Sequence, residues 1–467
     1  MTSTRSVTAS YHRRLADRER RGPGRRRTDV LERGAMATTA GTSDKRLIPL
    51  DAPPLGHIPS FDGFRGVFIL VVVLYHAEVM EFLRGAPILI DWFFVSSGFL
   101  ITSLLLDEAN RQGSVSLRSF YTKRVLRLFP AMYAMLAVFS VIAILGVLLL
   151  EDPEGLSNWW VDVLGGGLYV YNFIAAVDPE AVTGAIGHIW SLTVEEQFYF
   201  VWPLLLAAVL RSATRRADRR LFIGAIAFVA LCFFLRGHFQ YVVQINGDSV
   251  TFIDEDDPTW QGIVYRLAAF RPDMIVYGSL MAILARRVSR PLRGSFRRTM
   301  SVVGPLCWAC FFAVMLLGNR VSGFELWGGW GYQVGLLAIG PATLDLFFRQ
   351  DSLFARTFSW EPIRWIGIRT YGIYLWHILP LILVLPLISE SYGVQKLVLG
   401  LIGSAMGVAA GLASYRYIER RFLSMKDRVD RLGRVRATTT EGSTTEGSAT
   451  DGGATDRSTT EGGTAER

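Results

Sequence analysis

Residues 160–177 read WVDVLGGGLYVYNFIAAV, and the fold turns on whether they cross a membrane. They form one of eleven apolar stretches; the others lie near 66–83, 87–106, 128–150, 190–210, 221–236, 263–285, 300–318, 330–348, 371–388 and 396–415. A helix needs about 20 apolar residues to span a bilayer, and each stretch comes close to that length. Were all eleven to cross, the basic loop RSATRRADRR at 211–220 would fall outside the cell, against the bias that keeps Lys and Arg inside. One stretch must therefore leave the count. The weakest is 160–177, because it carries Asp162, three glycines at 165–167 and Asn172. Glycine weakens a helix, and polar side chains disfavour lipid. The expectation is a re-entrant or interfacial segment, tolerated because it lines a cavity within protein.

With ten crossings the charges fall into register. The loops near 107–127, 211–220, 286–298 and 349–369 and the segment 416–436, all rich in Lys and Arg, lie inside. The stretches 151–189, which has no Lys or Arg, and 237–262, with Asp254, Glu255, Asp256 and Asp257, lie outside. The expected fold class is an all-α polytopic integral membrane protein with about ten transmembrane helices plus that one segment. It is multi-pass in the inner (plasma) membrane, with both termini cytoplasmic.

Composition agrees. The chain is 51% hydrophobic and 19% charged, where soluble chains carry about a quarter charged residues. The net charge of +8 does not point to nucleic acid, because the arginines cluster in loops between apolar runs. Cys232, Cys307 and Cys310 lie inside apolar runs and read as small buried hydrophobes rather than a redox or metal pair; no metal is expected. Residues 1–56 form a basic N-terminal segment, including RRLADRERRGPGRRR, with no apolar core, and are expected to be disordered. Met36 is a candidate true start, which a mature chain beginning at Thr2 would exclude. Residues 424–467 end in TTEG and ATDG units and read as a low-complexity cytosolic tail.

Polar residues stand out against this apolar background. In FDGFRGVFILVVVLYH, Arg65 and His76 lie about 16 Å apart along a helix. That puts Arg65 near the cytosolic interface and His76 near mid-bilayer, where an imidazole either carries a proton or bonds a neighbouring helix. In DWFFVSSGFLIT, Asp91 either orients His76 or caps its helix, and Ser96, Ser97 and Gly98 permit close helix contact. In SFYTKRVLRLFP, Arg124 and Arg127 share a face at i, i+3; with Arg65 they suit phosphate groups, or else anchor to anionic lipid headgroups. In GHIWSLTVEEQFY, His188 and Trp190 enter from the outer side. Ser191, Glu195 and Tyr199 follow on one face, with Glu196 about 100° away. Glutamates at a helix start also favour its dipole, and Trp favours the interface. Tyr374 and His377 share a face in RTYGIYLWHILP, as a polar pair or as belt and packing residues.

Together these motifs resemble the integral membrane acyltransferase 3 family. The resemblance covers roughly residues 57–423, read as the membrane acyltransferase domain. Its carriers are FDGFRGVFILVVVLYH, DWFFVSSGFLIT, YTKRVLRLFP, GHIWSLTVEEQFYFVWP, RPDMIVYGSLMAIL, YGIYLWH and SYRYIERRF, in that order. The family pattern implies an Arg, ten residues and a His, met by Arg65 and His76. It implies an Arg-x-x-Arg pair, met by Arg124 and Arg127, and a Trp-Ser-Leu-x-x-Glu, met by Trp190, Ser191, Leu192 and Glu195. Departures sit beside these motifs. Ser96 stands where Leu is usual, Phe129 for Tyr and Thr370 for Ser, and Ile378 and Leu379 follow His377 where an aromatic often does.

The resemblance implies O-acylation of a glycan, lipid-linked sugar or macrolide-like acceptor from a cytosolic acyl-CoA, with acetyl-CoA the expected donor, which is a substrate and not a resident cofactor. Arg65, Arg124 and Arg127 would hold the donor's phosphates. His76 would act as general base or take the acyl group, and Glu195 would orient the imidazolium or activate the acceptor. Asp91, Trp190, Ser191, Glu196, Tyr374 and His377 would support the substrates. Some relatives carry a hydrolase-like domain after the last span; a short polar tail is expected here in its place. The rival reading is a transporter or flippase of a polar lipid or glycan, which also needs intramembrane charge and a broken helix. The chain shows no repeat between halves to match it.

Overall fold

The computed structural model describes residues 47–50, 56–80, 82–83, 85–150, 158–245, 260–288, 294–318, 330–389 and 392–425. Most of the basic N-terminal segment, the acidic outer loop near 254–257 and the repeat tail lie outside the described residues. Every regular element among them is helical.

The chain opens with α1 (Pro59–His76), α2 (Ile88–Gln112) and α3 (Leu117–Leu150), then two short helices, α4 (Trp159–Gly167) and α5 (Tyr171–Val177). Next come α6 (Trp190–Ser212), α7 (Arg215–Ile245), α8 (Trp260–Ala269), α9 (Pro272–Arg286) and α10 (Gly294–Leu317). The last part holds α11 (Trp330–Leu337), α12 (Ile339–Phe348), α13 (Leu353–Phe358), α14 (Glu361–Gly367), α15 (Thr370–Trp376), α16 (Ile378–Ser389) and α17 (Gly393–Ser414). Seven helices, α1, α2, α3, α6, α7, α10 and α17, are long and apolar enough to cross a membrane; counting the bent run from α14 through Val384 raises this to eight. The protein is a polytopic helical membrane protein.

The expected ten spans are thus not ten unbroken helices. Three of the stretches, at 263–285, 330–348 and 371–388, are each divided in two. α8 and α9 part at Arg271, whose φ of 56° is left-handed, with Pro272 opening α9, a position where its missing N–H costs nothing. In α12, Pro341 has no N–H to offer the carbonyl of Leu337, and the Tyr277 hydroxyl donates to that carbonyl instead, at 2.9 Å. In α16, Pro380 likewise leaves the Trp376 carbonyl without an amide donor from within the helix, and the helix breaks at His377.

The stretch 160–177 folds as expected into something that does not cross. α4 and α5 have nine and seven residues, far short of a span, and part at Tyr169, whose φ is 56°. Asp162 and Asn172 are satisfied within protein. Buried Asp162 accepts from the Thr183 amide at 3.1 Å and from the Thr183 hydroxyl. Asn172 bonds Gln197 and Thr193.

α1 starts earlier than the apolar run suggested, at Pro59, and ends at His76. His76 is therefore the last residue of its helix rather than a mid-helix group. It meets His377, whose backbone packs beside Gly407, well inside α17. Cys232 is buried, but Cys307 and Cys310 are only half-buried, because α10 lies at the periphery of the bundle.

α2 and α9 pack backbone against backbone. A Cβ on Gly98 would overlap the Ile275 carbonyl, and one on Gly278 would overlap the Val95 carbonyl. Small residues on both faces let the backbones touch, and Ser279 Oγ donates to Gly98 O at 3.3 Å. Gly98→Ala or Gly278→Ala is expected to cost about 1–3 kcal/mol through overpacking. The midpoint of thermal unfolding in detergent checks this, and an unchanged midpoint would show that the helices part freely.

Candidate active site

A cavity runs between α1, α2, α3, α6 and the α14–α15 segment. Its wall includes Arg65, Arg124, Arg127, Ser191, Glu195, Glu196, Tyr199 and Tyr374, with Phe68 and Phe93 as apolar floor. The structure therefore gathers all three arginines singled out by the sequence, from α1 and α3. Gly66 and Gly367 seat α1 against α14, which fixes where Arg65 enters.

The charges within the cavity do not cancel. Arg124 pairs with Glu196 at 3.4 Å, and its guanidinium lies 3.4 Å from the centre of the Tyr199 ring. The Tyr199 hydroxyl donates to Glu195. Arg65 and Arg127 form no ion pair or side-chain hydrogen bond among the described residues, and the Nε atoms of Arg65 and Arg124 are buried without a partner. Unpaired guanidinium donors gathered in one cavity favour a multivalent anion.

Ser191 and Tyr374 meet at the cavity wall. Their hydroxyls lie 2.6 Å apart, and Tyr374 donates to the His188 carbonyl at 2.7 Å. Beside this layer sits a cluster of three histidines. His76 Nδ1 lies 3.0 Å from His377 Nε2, and His377 Nδ1 lies 2.7 Å from the Tyr374 carbonyl. A carbonyl can only accept, so His377 carries its proton on Nδ1. In the neutral ring its Nε2 is then an acceptor, and His76 must donate from Nδ1. That leaves His76 Nε2 with an open lone pair. A fixed tautomer is what a base or nucleophile needs.

Several expectations need correction. Glu195 does not contact His76; it belongs to the arginine cavity, and the group that orients His76 is His377, 301 residues away in sequence. Asp91 neither orients His76 nor caps α2, which has no side-chain cap. It is buried against Arg271 and accepts from the Tyr332 hydroxyl at 3.0 Å. Trp190 packs against Phe270, 5.3 Å between ring centres, and Phe94 at 6.0 Å, and does not line the cavity. Glu196, expected on another face, shares the cavity with Glu195.

A buried polar network escaped the sequence reading. Arg236 makes a two-pronged pair with Asp273, at 2.7 and 2.9 Å, and bonds Gln333 at 3.1 Å. Arg271 joins Asp91 and Tyr332. All five charged or phenolic groups are nearly fully buried. The signal in sequence was charge inside apolar runs, which is costly unless paired.

A helical membrane bundle with an arginine-lined cavity beside a buried histidine cluster defines a class, and the family follows. Residues 58–416 match the family described as an acyltransferase domain, acyltransferase 3, and the chain belongs to that family. It is 28% identical over 329 residues to the peptidoglycan O-acetyltransferase OatA of Listeria monocytogenes, covering 69% of this chain and 49% of that protein. It is 28% identical over 393 residues to the O-acetyltransferase OatA of Staphylococcus aureus, covering 80% of this chain and 58% of that protein. The chain spans about half the length of the curated relatives it matches. No solved structure gives a significant match. The transporter reading gains no support from these matches.

Proposed function

We propose that the chain is a membrane O-acyltransferase that moves an acyl group, acetyl in the simplest case, from acyl-CoA to a hydroxyl of a glycan. The observation that carries this reading is the adjacency of two unlike sites. One is a cavity with three guanidinium groups, two of them unpaired. The other is His76 with its Nε2 left open. Arg65, Arg124 and Arg127 hold the phosphates of the donor, and the thioester reaches past Ser191 and Tyr374 towards the histidines. The basic loops at 107–127 and 211–220 support an arginine end and two termini that face the cytoplasm from an inner membrane. The acceptor then approaches from the opposite face. The relatives' printed activity favours a cell-wall glycan as that acceptor.

Removing one charged donor to a phosphate loses roughly 1.5–3 kcal/mol of binding, about 10- to 100-fold. Arg65→Gln and Arg127→Gln are each expected to raise the KM for acetyl-CoA by that factor, with a smaller fall in kcat. A donor truncated to acetyl-pantetheine, which lacks the phosphates, should be equally poor with wild type and variants. Equal losses on both donors would make the arginines lipid anchors or packing groups instead.

A further inference from the structure

The third histidine of the cluster has no task in the reading above. His188 sits in the short turn Gly187–Ile189 that leads into α6. It is 8% exposed. Its ring stands edge-on to His377 with 5.2 Å between ring centres, while the His76 ring lies 5.1 Å from the same His377. His188 Nε2 lies 3.3 Å from the Leu375 carbonyl, so the proton is on Nε2. Its Nδ1 is then an acceptor, and it is buried with no partner among the described residues. A buried acceptor left open is costly to the fold and is kept where an incoming group completes it.

The cluster therefore holds two histidines with open lone pairs, His76 at Nε2 and His188 at Nδ1, flanking a His377 ring that is fully hydrogen-bonded. Two-step acyl transfer needs two such nitrogens, one to receive the acyl group and one to receive the acceptor's proton. His76 is held in position by His377, as a nucleophile requires. His188 is held by a backbone carbonyl and turns its free nitrogen inward.

Resting on the acyltransferase reading, we propose that His188 is a catalytic residue that takes the proton of the acceptor hydroxyl through Nδ1. In the first step the bond from His76 Nε2 to the acyl carbon forms as the carbon–sulfur bond breaks, releasing CoA thiolate. In the second, the acceptor O–H proton passes to His188 Nδ1, the ester C–O bond forms, and the bond from the acyl carbon to His76 Nε2 breaks. His188 then returns its proton through water to the thiolate. The sum is one ester and one thiol from one thioester and one alcohol. During the second step His188 is cationic, and the Leu375 carbonyl, accepting from Nε2–H, stabilises it.

The test separates the two steps in full-length protein in lipid nanodiscs. The first step alone is read as exchange of labelled CoA into acetyl-CoA without acceptor. Both steps are read as label passing from acetyl-CoA into soluble peptidoglycan fragments. His188→Gln keeps an amide N–H for the Leu375 carbonyl but has no base. Exchange is expected to stay within threefold of wild type, while transfer to the glycan falls by about 100-fold or more. His76→Gln should lose both. Should His188→Gln unfold early on heating, His188→Asn is read in its place. The proposal is overturned by transfer within threefold of wild type, by equal loss of exchange and transfer, or by a wild type that transfers without exchanging. A wild type that does neither sinks the acyltransferase reading itself.

Discussion

His76→Ala is expected to lower acyl transfer by about a thousand-fold, within the range that one acid, base or nucleophilic group supplies, while the protein still folds. The expectation of an intact fold has a structural reason. His76 is the last residue of α1 and only partly buried, and its side-chain partner, His377, keeps its own bond to the Tyr374 carbonyl when His76 is lost. The comparison with His377→Ala is informative. That change removes the group that fixes the His76 tautomer without touching Nε2, so activity should fall less than in His76→Ala. Transfer rates and unfolding midpoints measured side by side check both. A His76→Ala protein with full activity would leave the imidazole as a helix-packing group.

The second large effect concerns stability. Arg271→Met is expected to destabilise the bundle by roughly 3–5 kcal/mol, because it strands Asp91 as a buried charge without its cation. Asp91 is completely buried on α2, and Tyr332 would remain as its one donor. Arg271 also holds the left-handed backbone between α8 and α9. Arg271→Gly separates the two contributions, since glycine adopts that backbone freely but leaves Asp91 equally stranded. It should be nearly as destabilised as Arg271→Met. The double change Arg271→Met with Asp91→Leu should recover much of the loss, since removing both charges together also removes the cost of burying them. The unfolding midpoint in detergent measures all three. If Arg271→Gly matched wild type, backbone strain and not the ion pair would dominate at this site.

How far these features could be read from the sequence depends on their range. Apolar runs are local, so the long helices were legible, and the weakness of 160–177 followed from Asp162, its glycines and Asn172. The breaks were harder. An apolar run does not say whether it is one helix or two, and the local signals, Pro341, Pro380 and the pair Arg271–Pro272, lay inside runs that otherwise read as continuous. The arginines of the cavity were legible because charge in an apolar chain is conspicuous, and Arg124 and Arg127 share a helix face. Partners across the fold were not. His76 finds His377 across 301 positions and Asp91 finds Arg271 across 180. No spacing rule reaches that far, so Asp91 was read as orienting His76 or capping its helix, and Arg271 was not seen as its partner.

The most direct measurement uses protein reconstituted into lipid nanodiscs with acetyl-CoA labelled in the acetyl group, soluble peptidoglycan fragments, and His76→Ala as the matched control. Label should move into the glycan as an alkali-labile ester with wild type and stay in acetyl-CoA with His76→Ala. Label that never leaves acetyl-CoA with folded wild type, or moves equally with both proteins, would contradict acyl transfer through His76.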